Sequence, residues 1–272
     1  MRKSKILAKL RAGKPARLTM MGHFLPAFIA MSADQGFDGI WLDLEHNPMD
    51  AREVQALLAF FHLYDIDAMI RPIDAMIRPA TREKAQLYRY LEDGATGFMI
   101  PHVNDAQAAR DLVQAVKFPP VGDRGIAGNG LEANFMVDLP VNRDPLAEHA
   151  LRETFLFVQL ETLTALSEME AMAKVAGLDG LYVGPADLRW RINQLPEAER
   201  RSIPSVLKDV AEVCQQHGKP WGCLPATLDE LRLHIELGSQ LLVWGVDLRM
   251  LKSGIQAAAH EMNQAIGRDA SE

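Results

Sequence analysis

Short apolar runs alternate with amphipathic stretches along nearly the whole chain. The runs predict strands at RLTMM (17–21), GIWLDL (39–44), DAMI (67–70 or 74–77), GFMI (97–100), FLFVQL (155–160), GLYV (180–183), PWGC (220–223) and QLLVW (240–244). Between most of them apolar residues recur at helical spacing, as in DAREVQALLAFFHL (50–63), REKAQLYRYLEDG (82–94), DAQAARDLVQAV (105–116), LTALSEMEAMAKVA (163–176) and IPSVLKDVAEVCQQHG (203–218). Eight strand-helix units in about 250 residues describe a closed parallel (β/α)8 barrel better than an open sheet. The expectation is one α/β domain over residues 1–272. No Gly-x-Gly-x-x-Gly turn follows the first strand, which removes the main support for a dinucleotide-binding fold.

Two stretches interrupt the pattern. Residues 121–153 hold four glycines and no long periodic run, and a loop of that length in a compact domain is usually functional, so it reads as an active-site loop. The second is a tandem duplication, IDAMIRP at 66–72 followed at once by IDAMIRP at 73–79. Seven residues cannot build a repeat architecture. One copy takes the strand register and the other bulges as a loop.

Composition narrows the picture. With 272 residues, 48% hydrophobic and 24% charged, the chain can bury a barrel-sized core. The basic start MRKSKILAKLRAGKPARL lacks a long apolar stretch and a small-residue cleavage site, and no run approaches the ~20 apolar residues of a membrane span. A cytoplasmic location is the default expectation, with no membrane partner. Two cysteines, Cys214 and Cys223, argue against a disulfide framework or a zinc finger. The net charge of -7 disfavours a nucleic-acid surface.

Candidate chemistry lies at the strand ends. Glu161 closes FLFVQLE and Asp187 follows the strand in GLYVGPADL; two such acids, about one strand-helix unit apart, can converge on one divalent cation. Carboxylate-only ligation with open positions suits Mg2+ or Mn2+ better than a closed zinc site. Gln159 lies two residues before Glu161 and so shares its face, the barrel interior. Gly184 and Pro185 set a tight turn that aims the amides near Ala186 and Asp187 at a bound carboxylate. After GIWL, the run Asp43-Leu44-Glu45-His46 crowds ionisable groups around a candidate base. Arg71 and Arg78 each end a DAMI run, where a guanidinium can bind a carboxylate or stabilise an enolate oxygen. No candidate strand contains a lysine, so a metal is a better electron sink than a Schiff base.

With these motifs in order, the chain resembles the HpcH/HpaI aldolase/citrate lyase family over about residues 5–260, through GFDGIWLDLEHNP, IRP, GATGFMIPHVNDAQAAR, FPPVGDRGIAG, FVQLETLTAL, GLDGLYVGPADL and VWGVDLRML. The resemblance implies a class II, metal-dependent pyruvate aldolase, similar to 4-hydroxy-2-oxoheptanedioate and 2-dehydro-3-deoxyglucarate aldolases. It implies a TIM barrel of the phosphoenolpyruvate/pyruvate type whose last helix is exchanged between subunits, in a homo-hexamer arranged as a dimer of trimers. Carried over by position, Glu161 and Asp187 match the metal ligands for Mg2+, Mn2+ or Co2+, His46 the catalytic base and Asp43 its polar neighbour. Gln159 matches a substrate contact, and Gly184, Pro185, Ala186 and the Asp187 amide match the carboxylate cradle. Glu92, in YLEDGA, matches an acid that reaches the histidine of a neighbouring subunit. For the arginine, counting from DLEH selects Arg71 and counting back from MIPHV selects Arg78; Arg78 is favoured because REKAQLYRYLEDG then keeps its register.

The resemblance thus implies cleavage of 2-keto-4-hydroxy acids to an aldehyde and pyruvate, or a related keto acid such as hydroxypyruvate. An acyl-CoA ester lyase of the citrate lyase type and a non-catalytic keto-acid-binding barrel are the alternatives. Met20 stands where the family often has a bulky aromatic, and RWRINQLPEAERR replaces a small-residue loop after GPADL. These departures make His23, Arg189 and Arg191 candidates for a polar or acidic substrate tail, beside the plainer reading of solvated loop residues.

Overall fold

A computed structural model of the chain describes residues 2–66, 73–137 and 142–267. Its eight strands lie within two residues of the runs read from the sequence: β1 Ala16–Met21, β2 Gly39–Asp43, β3 Asp74–Arg78, β4 Gly97–Ile100, β5 Phe155–Leu160, β6 Gly180–Val183, β7 Trp221–Cys223 and β8 Leu241–Val246. They pair in parallel in sequence order, and β8 closes on β1 through Ala16 opposite Leu241 and Leu18 opposite Val243. Each apolar run is buried on both faces, which is why it reads as continuous rather than alternating.

The helices are α1 Lys5–Arg11, α2 Pro26–Asp34, α3 Ala51–Ile66, α4 Lys84–Glu92, α5 Ala106–Val116, α6 Asp144–Glu153, α7 Leu163–Ser167, α8 Met169–Ala173, α9 Pro185–Asn193, α10 Ile203–Gln216, α11 Leu228–Glu236 and α12 Asp247–Ile266. Local chemistry starts several of them. Asp105, Thr162, Ser202 and Thr227 each accept the N–H three residues ahead, and α9 and α10 carry proline in the first turn.

Two apolar clusters result. Leu18, Trp41, Met76, Met99, Phe157, Tyr182 and Val243 fill the barrel, and the outward-facing residues of the strands pack under the helices. Gly180 leaves room for this filling, since a Cβ there would lie 2.3 Å from the Phe157 ring. Ile6 and Leu7 of α1 join the inner cluster, and each buried side chain of this size contributes about 1.5–3 kcal/mol. The helix is tied down by fully buried Asp74, whose Oδ2 accepts the Ser4 hydroxyl at 2.7 Å and the Ile6 N–H at 2.8 Å, while Arg2 Nη2 reaches Oδ1 at 2.9 Å. The amino-terminal end of the barrel is therefore plugged. Chemistry is left to the carboxyl end.

The second copy of IDAMIRP supplies β3, with Asp43 opposite Arg78 in the β2–β3 register. Residues 67–72, including Arg71, lie outside the described residues. The 121–153 stretch departs from its expectation. Asp144–Glu153 forms α6, and residues 121–137 run from α5 along the flank of α4, belonging to a helix-to-strand connection rather than to the strand-to-helix loops of its own barrel. Its anchors are structural: Arg124 pairs with Glu132 at 2.6 Å, and Gly130 approaches the Glu92 backbone so closely that a Cβ would sit 2.1 Å from the Glu92 carbonyl.

Candidate active site

The carboxyl ends of β2 to β6 converge on one polar cluster. Arg78, at the end of β3, is 7% exposed and grips Asp43 of β2 with two bonds of 2.7 Å, Nε to Oδ1 and Nη2 to Oδ2. Its Nη1 lies 3.1 Å from Glu45 Oε2, and the guanidinium stacks 4.9 Å from the Trp41 ring centroid. A bidentate, charge-assisted fork of this kind fixes the arginine in one orientation and leaves N–H groups for a ligand. Asp43 also accepts the Glu45 N–H at 3.1 Å and Asn47 Nδ2 at 2.9 Å. Among the described residues its bonds go to Arg78, Glu45 and Asn47. The nearest carboxylate to His46 is instead Glu45, with Nε2 3.5 Å from Oε2, and the His46 side chain is 63% exposed and open to solvent.

Across the barrel mouth, Gln159 and Glu161 share the inward face of β5 and its exit, as the strand period requires, and Gln159 Nε2 donates to Glu161 Oε2 at 2.7 Å. Gln159 Oε1 is buried without a partner among the described residues. Gly184 makes the space, because a Cβ there would lie 2.4 Å from Gln159 Nε2 and 2.9 Å from Glu161 Oε2. Next in sequence, Pro185 opens α9, and no side chain caps that helix. Its first free amides, at Ala186 and Asp187, carry the positive end of the helix dipole. The Asp187 carboxylate is half-exposed and pairs with Arg191 one turn on at 3.2 Å.

One residue at this site was not singled out in the sequence. His102, just beyond β4, donates its main-chain N–H to Glu161 Oε1 at 2.6 Å; its Nδ1 lies 2.8 Å from the same oxygen and its Nε2 3.1 Å from Glu45 Oε1. A histidine directly after a predicted strand was the available signal, the same signal that drew attention to His46. Glu45 likewise proves to be a hub, touching Arg78, His46 and His102.

These contacts set the electrostatics. Burial raises the Glu161 carboxyl above the usual carboxylate range, the His102 N–H and ring oppose that shift, and the charges of Glu45 and Asp187 push it further up. A buried carboxylate under such pressure is suited to a cation. Among the described residues no three His, Cys, Asp or Glu side chains close into a metal cage. The donor set fits an open oxygen-ligated site made by two carboxylates, with the orphaned Gln159 carbonyl beside it. The lysines near apolar segments are elsewhere: Lys117 holds Asp179 and Lys219 the Leu178 carbonyl, at the starts of the strands.

The remaining candidates scatter. Glu92 ends α4, lies within reach of Arg89 at 3.8 Å and faces the flank under the 121–137 segment, away from the His46 of its own chain. His23 is held by Asp247, with Nδ1 to Oδ2 at 3.0 Å. Arg189 does reach the mouth, in an open cleft that also contains Pro185, Ala186, Leu224, Trp244 and Arg249.

The model of the HpcH/HpaI aldolase/citrate lyase family matches residues 21–253. A hydroxypyruvate/pyruvate aldolase of Sagittula stellata is 30% identical over 95% of this chain and 98% of that protein. A 4-hydroxy-2-oxo-heptane-1,7-dioate aldolase of Klebsiella pneumoniae is 29% identical over 92% of this chain and 90% of its own length. Among solved structures, the HpcH/HpaI aldolase from Desulfitobacterium hafniense superposes with a TM-score of 0.82 at 26% identity, covering 94% of this chain and 95% of that one.

Proposed function

The chain belongs to the HpcH/HpaI aldolase/citrate lyase family, and from that premise we propose that it cleaves 2-keto-4-hydroxy acids, reversibly, to an aldehyde and pyruvate or a related 2-keto acid such as hydroxypyruvate. The observation that carries this reading is that buried Glu161 and locked Arg78 share one barrel mouth, linked through Glu45 and His102, an anion poised for a metal and a cation poised for an enolate. Relatives of similar length named as aldolases support it over the acyl-CoA ester lyase.

Glu161 and Asp187 would hold a divalent cation, Mg2+, Mn2+ or Co2+, which when bound supplies a Lewis acid for the keto acid. The free amides of Ala186 and Asp187 receive the substrate carboxylate at the N-terminus of α9. Gln159 steadies Glu161 and offers its unpaired carbonyl to the substrate. In cleavage, His46 takes the proton of the 4-hydroxyl while the C3–C4 bond breaks and its electron pair enters the keto acid as an enolate. Arg78 stabilises the oxygen on which that negative charge develops, and being pre-oriented by Asp43 and Glu45 it needs no reorganisation to do so. Return of the proton held by His46 to C3, through solvent, then completes pyruvate and restores the base. Condensation runs the same steps backwards, with His46 returning its proton.

The assembly proposed with this activity is a homo-hexamer, a dimer of trimers. It is supported by α12, which exposes Leu248, Leu251, Ile255, Met262 and Ile266 along its length and suits exchange between subunits. Glu92 would then serve a neighbouring subunit's histidine. Excess chelator is expected to abolish pyruvate release and added Mg2+, Mn2+ or Co2+ to restore it. Undiminished cleavage in chelator contradicts the metal-dependent reading, and borohydride trapping of a substrate adduct would replace it with a Schiff base.

A further inference from the structure

His102 has no part in the chemistry above, yet it contacts two carboxylates of that site, Glu161 and Glu45. It adopts a φ of 57°, a left-handed conformation uncommon for a residue bearing a side chain, and such conformations gather at functional sites. The conformation has a visible result. It turns the main-chain N–H onto Glu161 Oε1 at 2.6 Å, while the ring folds back to bring Nδ1 within 2.8 Å of the same oxygen. The other ring nitrogen, Nε2, is 3.1 Å from Glu45 Oε1, and the His102 carbonyl is held by Arg82 Nη1 at 3.2 Å. The ring therefore spans two carboxylates from different strands, each nitrogen facing one of them. It also joins Glu161 to the Glu45 that lies beside Arg78.

We propose that His102 is the positioning residue of the metal centre, a role that rests on reading Glu161 as a metal ligand. With Oε1 held by the His102 main-chain N–H and faced by its ring at 2.8 Å, and Oε2 held by Gln159, Glu161 keeps one orientation before any cation arrives. A carboxylate so held loses little freedom on ligation, and groups that orient metal ligands typically contribute 10–100-fold to affinity. The contact with Glu45 stops the half-exposed ring from swinging into solvent. Both ring nitrogens face carboxylates, so His102 acts through Glu161 and outside the coordination sphere.

The test uses the metal-free full-length chain without substrate, titrated with Mn2+ and read by the electron paramagnetic resonance of the free ion. His102→Ala is expected to weaken binding by about 10–100-fold. His102→Asn places an amide N–H near the position of Nδ1 and tolerates the left-handed backbone, so it is expected to recover most of the loss. His102→Gln reaches instead toward the Nε2 position and is expected to remain weak. Should His102→Ala fail to fold, the contrast between the Asn and Gln variants carries the test alone. Wild-type affinity in His102→Ala, equal recovery by Asn and Gln, or nitrogen coupled directly to bound Mn2+ would each overturn the proposal while leaving the metal site standing. Absence of Mn2+ binding by the wild type would overturn the metal reading and this role with it.

Discussion

Arg78 joins the duplication, the barrel register and the chemistry in one side chain. Removing it leaves Asp43 and Glu45 without their cation, and breaking a buried pair from one side costs about 3–5 kcal/mol. Arg78→Ala is therefore expected to lower stability in urea unfolding and to lower kcat for aldol cleavage by roughly 10²–10³, the usual loss when one preorganised stabiliser of developing charge is deleted. Arg71→Ala is expected to cleave normally. An Arg78→Ala enzyme with unimpaired turnover would assign the role to Arg71. Glu161→Gln removes a buried charge crowded by Glu45 and Asp187, so the metal-free variant should be at least as stable as the wild type while losing Mn2+ binding, measured by calorimetry. The strand-end residues Asp43, Arg78, Gln159 and Glu161 were legible because each closes or directly follows an apolar run with a fixed period. Their partners were not. Asp43 reads as the neighbour of His46 by proximity in sequence, but a guanidinium fork 35 positions away offers two charge-assisted bonds and takes the carboxylate instead. His102 needed a positive φ and two long-range carboxylates, neither of which a local pattern reveals.

At the scale of elements, the barrel strands were readable because burial on both faces leaves an uninterrupted apolar signature. Segments with a different physical role were missed. The basic start of the chain carries no element in the sequence reading, whereas Arg2, Ser4, Ile6 and Leu7 make it a plug anchored on Asp74. The 144–153 helix was hidden inside a loop assignment although Asp144 and Pro145 supply a proline start. Because β3 pairing uses only Asp74–Arg78, one copy of the duplication is dispensable to the sheet. Deleting residues 66–72 is expected to leave a folded, active enzyme with a melting temperature within a few degrees of the parent, since connections between barrel elements are commonly short. Loss of folding on that deletion would mean that the first copy holds the structure together. Truncating α12 beyond Arg249 keeps Asp247, which holds the N–H groups of Gly22 and His23, and removes most of the exposed apolar stripe. Light scattering is expected to show a smaller assembly for this variant; an unchanged hexamer would remove α12 from the interface.

The molecule as a whole is an acidic barrel, plugged at one end and reactive at the other, and no helix among the described residues is long and apolar enough to cross a membrane. Its pH response should come partly from the plugged end. His62, buried beside Arg2, has its pKa pushed down to about 4 by burial and then by that cation, while its Nε2 bonds the Gly94 carbonyl at 3.0 Å. The unfolded chain takes up this proton near pH 6.5 and the native protein does not until about pH 4. Stability from this group is therefore complete above pH 6.5 and falls as the pH drops toward 4, by up to about 1.4 kcal/mol per pH unit. His62→Gln, which can keep the bond to Gly94, should flatten that part of the urea-unfolding profile. Identical profiles for the two proteins would exclude His62 as a source of acid sensitivity. The central claim is carbon-carbon bond cleavage at the mouth made by Glu161, Asp187, His46 and Arg78. Its most direct test is pyruvate release from a panel of 4-hydroxy-2-keto acids by the metal-loaded enzyme, followed with a coupled pyruvate assay. The account predicts pyruvate in stoichiometry with the aldehyde from at least one member of the panel, abolished in Glu161→Gln; no pyruvate from any member, or release that persists in that variant, would contradict it.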